Sequence, residues 1–246
     1  MRLRVALVAQ LAAEATMLKA AGSLRVAAVL ATLVGTGVVA QTAAKDRTKK
    51  GPETFTITLR VYDYVRLNRP TLLAAEGEAA AILAQAGLEA HWVDCPTSGT
   101  ELDNYPDCPS TWKANDFVLR VLPKAMVELR AKWQEALGST PECDAVGTCA
   151  TSIFYDRVKS MAEGANATLP VLLGRAMAHE IGHLLLGVNS HSRTGIMRTS
   201  WSGRDLSLDG RPYLLFTPEQ SRQIKIRLAE RAHAWQAQAM GAQPRH

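Results

Sequence analysis

Apolar and polar positions alternate with a period of two over residues 55–64, from Phe55 through Ile57 and Leu59 to Val61. That is the signature of a β-strand with one face on a core. Residues 70–87 are rich in Ala, Leu and Glu between Pro70 and Gly87 and predict a helix. Short apolar runs at 88–93, 116–122 and 151–158 predict three further strands, and 124–137 a second helix. A longer apolar stretch starts at Leu169 and runs through Leu184, Leu185 and Leu186. Thr168 suits its N-cap, Pro170 its first turn and Gly187 its stop, so it predicts a mostly buried helix. Thr217-Pro218-Glu219-Gln220 is a capping box with proline at the first helical position. It opens a C-terminal amphipathic helix over 218–238. Strands and helices in this order predict an α+β domain with a mixed sheet.

The N-terminus changes the picture of where this domain works. Arg25 precedes an apolar or small stretch that ends in Val38-Val39-Ala40 before Gln41. A charged flank, a short apolar run and small residues at its end predict a secretory signal over residues 1–40, with Met17 as an alternative start. The run is short for a membrane span of about 20 residues, so membrane contact is expected only through an uncleaved N-terminal segment. The remaining residues, 41–246, are of a size for one domain with its own core, expected as a monomer.

Charge adds little once the leader is set aside. The leader carries Arg2, Arg4, Lys19 and Arg25 against Glu14, which is +3 of the total +5 and leaves +2. A basic surface for nucleic acid is therefore not expected. Four cysteines, Cys95, Cys108, Cys143 and Cys149, are an even number without the paired spacing of a zinc ribbon. Of the three connectivities, the local pairs Cys95–Cys108 and Cys143–Cys149 are favoured, because each would staple one loop. The stretch between the leader and Phe55 holds no cysteine, so a latent form plugged by a thiol is not expected.

The chemistry concentrates at His179-Glu180-Ile181-Gly182-His183. Residues four apart share a helix face, so both imidazoles can address one zinc ion while Glu180 reaches water beside it. Past Gly187 the chain offers His191 and then Gly195-Ile196-Met197. This block resembles the metzincin group of zinc peptidases, whose pattern is H-E-x-x-H-x-x-G-x-x-H followed by a methionine turn. It is also similar to a block of secreted bacterial proteins. The spacing departs from the metzincin pattern, for Gly187 stands four residues and His191 eight after the second histidine, and Asn189 holds the position of the third ligand. A helix and a loop each longer by one residue would still let His191 fold back. The resemblance then implies a zinc ion on His179, His183 and His191, Glu180 as catalytic base, and Met197 as a thioether platform beneath. Asp205, Asp209 and Glu219 are the substitutes if the third ligand is a carboxylate.

A zinc ion so held would lower the pKa of its water toward about 7, with Glu180 taking the proton and returning it to the leaving amine. The substrate implied is a peptide or protein, laid along an exposed edge of segment 151–158. Tyr155 and Tyr213 are candidate donors to the oxyanion. The location implied is secreted or periplasmic, in a bacterium. Two other functions fit the motif: a zincin cleaving a non-peptide amide of cell-wall type, and a non-catalytic secreted module with a structural zinc. A fourth protein ligand on the metal would favour the module.

Overall fold

The computed structural model describes residues 54–108, 112–127, 136–143, 149–165, 167–206 and 214–241. The expected leader, most of the second helix, Asp209 and Tyr213 lie outside them. Five strands are ordered β2-β1-β3-β5-β4 in one sheet. They are β1 (Phe55–Asp63), β2 (Leu88–Cys95), β3 (Asp116–Leu122), β4 (Gly138–Ser139) and β5 (Ala150–Phe154). The first three and β5 run parallel, while β4 pairs antiparallel with β5 at the sheet edge. A mixed sheet was expected, and it is mostly parallel.

Parallel strands are covered on both faces, and that explains why the alternation along β1 is broken. Ile57, Leu59 and Val61 are buried as the pattern requires, but so is Arg60 between them. Its guanidinium bonds Asp116 at 3.0 Å and the carbonyls of Asp107 and Cys108, beneath the ring of Trp112. A buried cation needs partners of this kind. Here they tie β1 to β3 and to the loop closed by the Cys95–Cys108 disulfide. The second pair, Cys143–Cys149, is also bonded as expected.

Helix α1 (Arg69–Gln85) follows β1, and α2 (Lys124–Val127) follows β3. The segment 151–158, read as one strand, divides at Phe154. There β5 ends and α3 (Tyr155–Gly164) begins. Asp156 in the first turn accepts the backbone N–H of Lys124 at 2.6 Å, and Val158 one turn on is fully buried. An acidic residue at a helix start is favourable, and it outweighs the strand preference of Tyr and Val. Helix α4 (Leu169–Leu186) is the predicted apolar helix, with Pro170 in its first turn and Gly187 at φ 99° ending it. Thr168 occupies the N-cap without a side-chain bond to the helix. Short α5 (Gly203–Leu206) and long α6 (Pro218–Gly241) complete the chain. The capping box at α6 forms reciprocally, Gln220 N–H to Thr217 Oγ1 at 3.2 Å and Thr217 N–H to Gln220 Oε1 at 2.9 Å.

Helix α4 is the hub. It packs against α1, α3, α6 and strand β5, and 13 of its residues are buried. Arg175, wholly inaccessible, reaches Glu78 of α1 at 3.2 Å and the Asp205 carbonyl of α5 at 2.6 Å. The helix is thereby fixed in place one turn before its first histidine. No helix among the described residues is long and apolar enough to cross a membrane.

Candidate metal centre

His179 and His183 project from one face of α4 in its last two turns, and His191 returns to them from the loop beyond Gly187. That loop is shaped by local bonds. Ser192 N–H donates to the Met197 carbonyl at 2.9 Å, and Ser192 Oγ donates to the Thr194 carbonyl at 2.7 Å. Gly195 sits at φ 77°, where any Cβ would strike the Leu215 carbonyl oxygen. A residue with a side chain cannot make this turn without moving Leu215.

The three ring nitrogens converge. His183 Nε2 lies 3.2 Å from Nε2 of His179 and 3.2 Å from Nε2 of His191, and the three ligand atoms all lie within 4.8 Å of one another. Two imidazoles on a tetrahedral zinc at 2.0–2.1 Å stand about 3.3 Å apart, which the two distances from His183 match. The outer nitrogens settle the protons. His179 Nδ1 faces the Ile196 carbonyl at 2.7 Å, an acceptor only, so that nitrogen carries the hydrogen. His183 Nδ1 faces Ser190 Oγ at 3.1 Å, and that hydroxyl gives its own proton to the Gly187 carbonyl at 2.6 Å. Both Nε2 atoms therefore bear bare lone pairs pointed at each other. Burial lowers the pKa of His179 to about 4, and it lowers that of His183 as well, each partly opposed by a backbone carbonyl. Neutral imidazoles with facing lone pairs repel unless a cation lies between them, and a divalent metal is the ion this donor set suits. Among the described residues no other Cys, His, Asp or Glu joins the cluster.

Beneath the histidines, Met197 is fully buried against Gly182, which stands between them on α4. A Cβ at position 182 would collide with Met197 Sδ and meet Phe216 at 2.9 Å. Met197 is thus packed on the helix that carries His179 and His183.

Glu180 lies against the sheet edge. Thr140 Oγ1 donates to its carboxylate at 2.6 Å, and Thr151 Oγ1 lies 3.4 Å from the same oxygen. Gly138 leaves space for it, since a Cβ there would stand 2.7 Å from Oε1. Burial pushes the carboxyl pKa up to about 7, although both threonine bonds work against the rise. In the metal-free protein a carboxyl raised from 4.5 to about 7 holds a proton that the unfolded chain releases. Its contribution to stability is thus lost as pH climbs through that window. Metal-free Glu180→Gln is accordingly expected to match the parent near pH 4 and to exceed it at pH 8 by ~3 kcal/mol. Urea unfolding at the two pH values measures the difference, and an equal gain at both would refute the assignment to Glu180.

Glu180 and the triad line one cavity of about 800 Å³, whose walls include Leu137, Ser139, Met161, Val188 and Trp201. Trp201 meets His179 edge to face at 5.7 Å. Neither the threonines nor Ser190 and Trp201 were marked by any spacing in the sequence. Ser190 stands inside the loop between His183 and His191.

Other expected residues are placed elsewhere. Tyr155 opens α3, half-buried against the core, and does not line the cavity. Segment 151–154 is interior to the sheet, flanked by β3 and β4, so the edge nearest the site is β4 instead. Asp205 is committed to Arg198 at 2.9 Å and to the N–H and hydroxyl of Ser202 at 2.6 and 2.7 Å. Burial alone would raise its pKa, but those bonds and the Arg198 charge hold it below the usual range. Glu219 is exposed and paired with Arg222. Asn189 lines the cavity.

Comparison with protein-family models and with curated proteins finds no match. Among solved structures, the chain is similar to the crystal structure of an archaemetzincin from Methanopyrus kandleri. The TM-score is 0.39 at 13% identity, over 74% of this chain and 99% of that one.

Proposed function

We propose that this chain is an extracytoplasmic zinc peptidase, with His179, His183 and His191 as ligands and Glu180 as general base. The observation that carries the reading is the convergence of three Nε2 atoms beside a buried carboxylate in one cavity. A zinc ion in that cage supplies Lewis acidity, activating water and polarising a carbonyl. Glu180 takes a proton from water and returns it to the departing amine. Thr140 and Thr151 hold its carboxylate in one orientation throughout. Three protein ligands among the described residues leave a position open, whereas a structural zinc site closes with four. An extended peptide adds to the outer edge of β4, which sits directly over Glu180. Two disulfides suit an oxidising compartment, in keeping with a leader over residues 1–40.

The purified protein is expected to hold about one zinc per chain at neutral pH, consistent with a single three-histidine site. It is expected to cleave casein in a manner abolished by chelation and restored by added zinc. Metal analysis and the protease assay check this together. A parent protein that takes up no zinc after equilibration overturns the reading.

A further inference from the structure

Resting on the metal-site reading above, we propose that Ser190 is a positioning residue for the centre, fixing the ring and tautomer of His183. The geometry is a two-step relay. His183 Nδ1–H donates to Ser190 Oγ at 3.1 Å, and Ser190 O–H donates to the Gly187 carbonyl at 2.6 Å. Gly187 ends α4, and its own N–H is bonded to the His183 carbonyl at 2.9 Å. The relay therefore closes a ring that starts and finishes on His183, using only the helix end and the loop that follows it.

The chemistry requires such a partner. An imidazole can swap its proton between two nitrogens, and only the tautomer protonated at Nδ1 presents a lone pair from Nε2. Ser190 as acceptor favours that tautomer and resists rotation of the ring. The Gly187 carbonyl, at 3.4 Å from the same Nδ1, is too far to replace it well. His179 solves the same problem by a different route, through the Ile196 carbonyl at 2.7 Å. The extended loop between His183 and His191 thus has a use. It carries the hydroxyl that orients the second ligand on its way to the third.

The test is zinc affinity by competition with a chromophoric chelator, on the purified full chain and three variants. Ser190→Ala is expected to bind zinc about 10- to 100-fold more weakly, the range for loss of an outer partner of a metal ligand. Ser190→Thr keeps the hydroxyl and is expected to recover most of the affinity. Ser221→Ala, a hydroxyl lost from helix α6 outside the relay, is expected to match the parent. Thermal melting of the metal-free forms shows whether the loop change harms the fold, and equal melting for parent and Ser190→Ala is expected. Parent-like affinity in Ser190→Ala, with zinc bound by the parent, overturns the role of Ser190 and leaves the metal site standing. Failure of Ser190→Thr to recover affinity also overturns it. A parent that binds no zinc removes the metal site itself.

Discussion

Glu180→Gln is expected to keep its zinc and its fold while losing hydrolysis by a factor of roughly 100 to 10,000, the usual contribution of a positioned general base. Glutamine has nearly the same shape and can still accept from Thr140, whose hydroxyl lies 2.6 Å from the present carboxylate. It cannot take a proton. The measurement is zinc content and casein cleavage on parent and variant in parallel. Equal cleavage in the two proteins would show that the proton goes elsewhere. The seat of Glu180 makes a second variant informative as well. Thr140 joins the β4 edge to Glu180 through its hydroxyl, which also touches the Glu180 carbonyl at 3.2 Å. Activity that depends on this carboxylate's position should follow Thr140 too, more weakly.

His191→Ala and His183→Ala are expected to lose zinc to similar degrees, each by more than about 100-fold, beyond what removal of an outer partner produces. Asn189→Ala and Asp205→Ala are expected to keep it. The structure sharpens this contrast, because Asp205 is already engaged by Arg198 and Ser202. Its removal should lower stability, by setting Arg198 loose, without touching the ligand set. Titration of all four variants in one buffer decides the matter. Zinc lost from Asp205→Ala but kept by His191→Ala would replace the third histidine with a carboxylate.

Much of this was legible in the chain because the informative signals are local. Strand 116–122 and the apolar helix ending at Gly187 follow from runs of one residue class and from Pro and Gly at their ends. The histidines four apart follow from helix geometry alone. What escaped depends on contacts distant in sequence. Thr140 lies 40 residues from Glu180, and no periodicity links them. Strand β4 is two residues long, Gly138 and Ser139, too short to show alternation. The boundary inside 151–158 was hidden because Ile153, Phe154, Tyr155 and Val158 all favour strands, while the helix that begins at Tyr155 is secured by Asp156 and by the burial of Val158. The burial of Arg60 likewise needed its partners near 107 and 116 to be seen.

The parallel sheet has a consequence for how the candidate site is assembled. Neighbouring parallel strands cannot be joined by a hairpin, so each pairing must wait until a long intervening stretch has been gathered in. Thr58 faces Asp116 and Leu119 faces Thr151, so the chain between the partners must close before either contact contributes. Such non-local pairings place folding on the slow side, roughly milliseconds to seconds. The seat of Glu180, built from residues 138, 140 and 151, needs β4 and β5 paired with each other and packed on α4. A nascent chain can therefore present its histidine pair on a helix before Glu180 is seated, and under the proposed function hydrolysis would await the packing of the sheet on that helix.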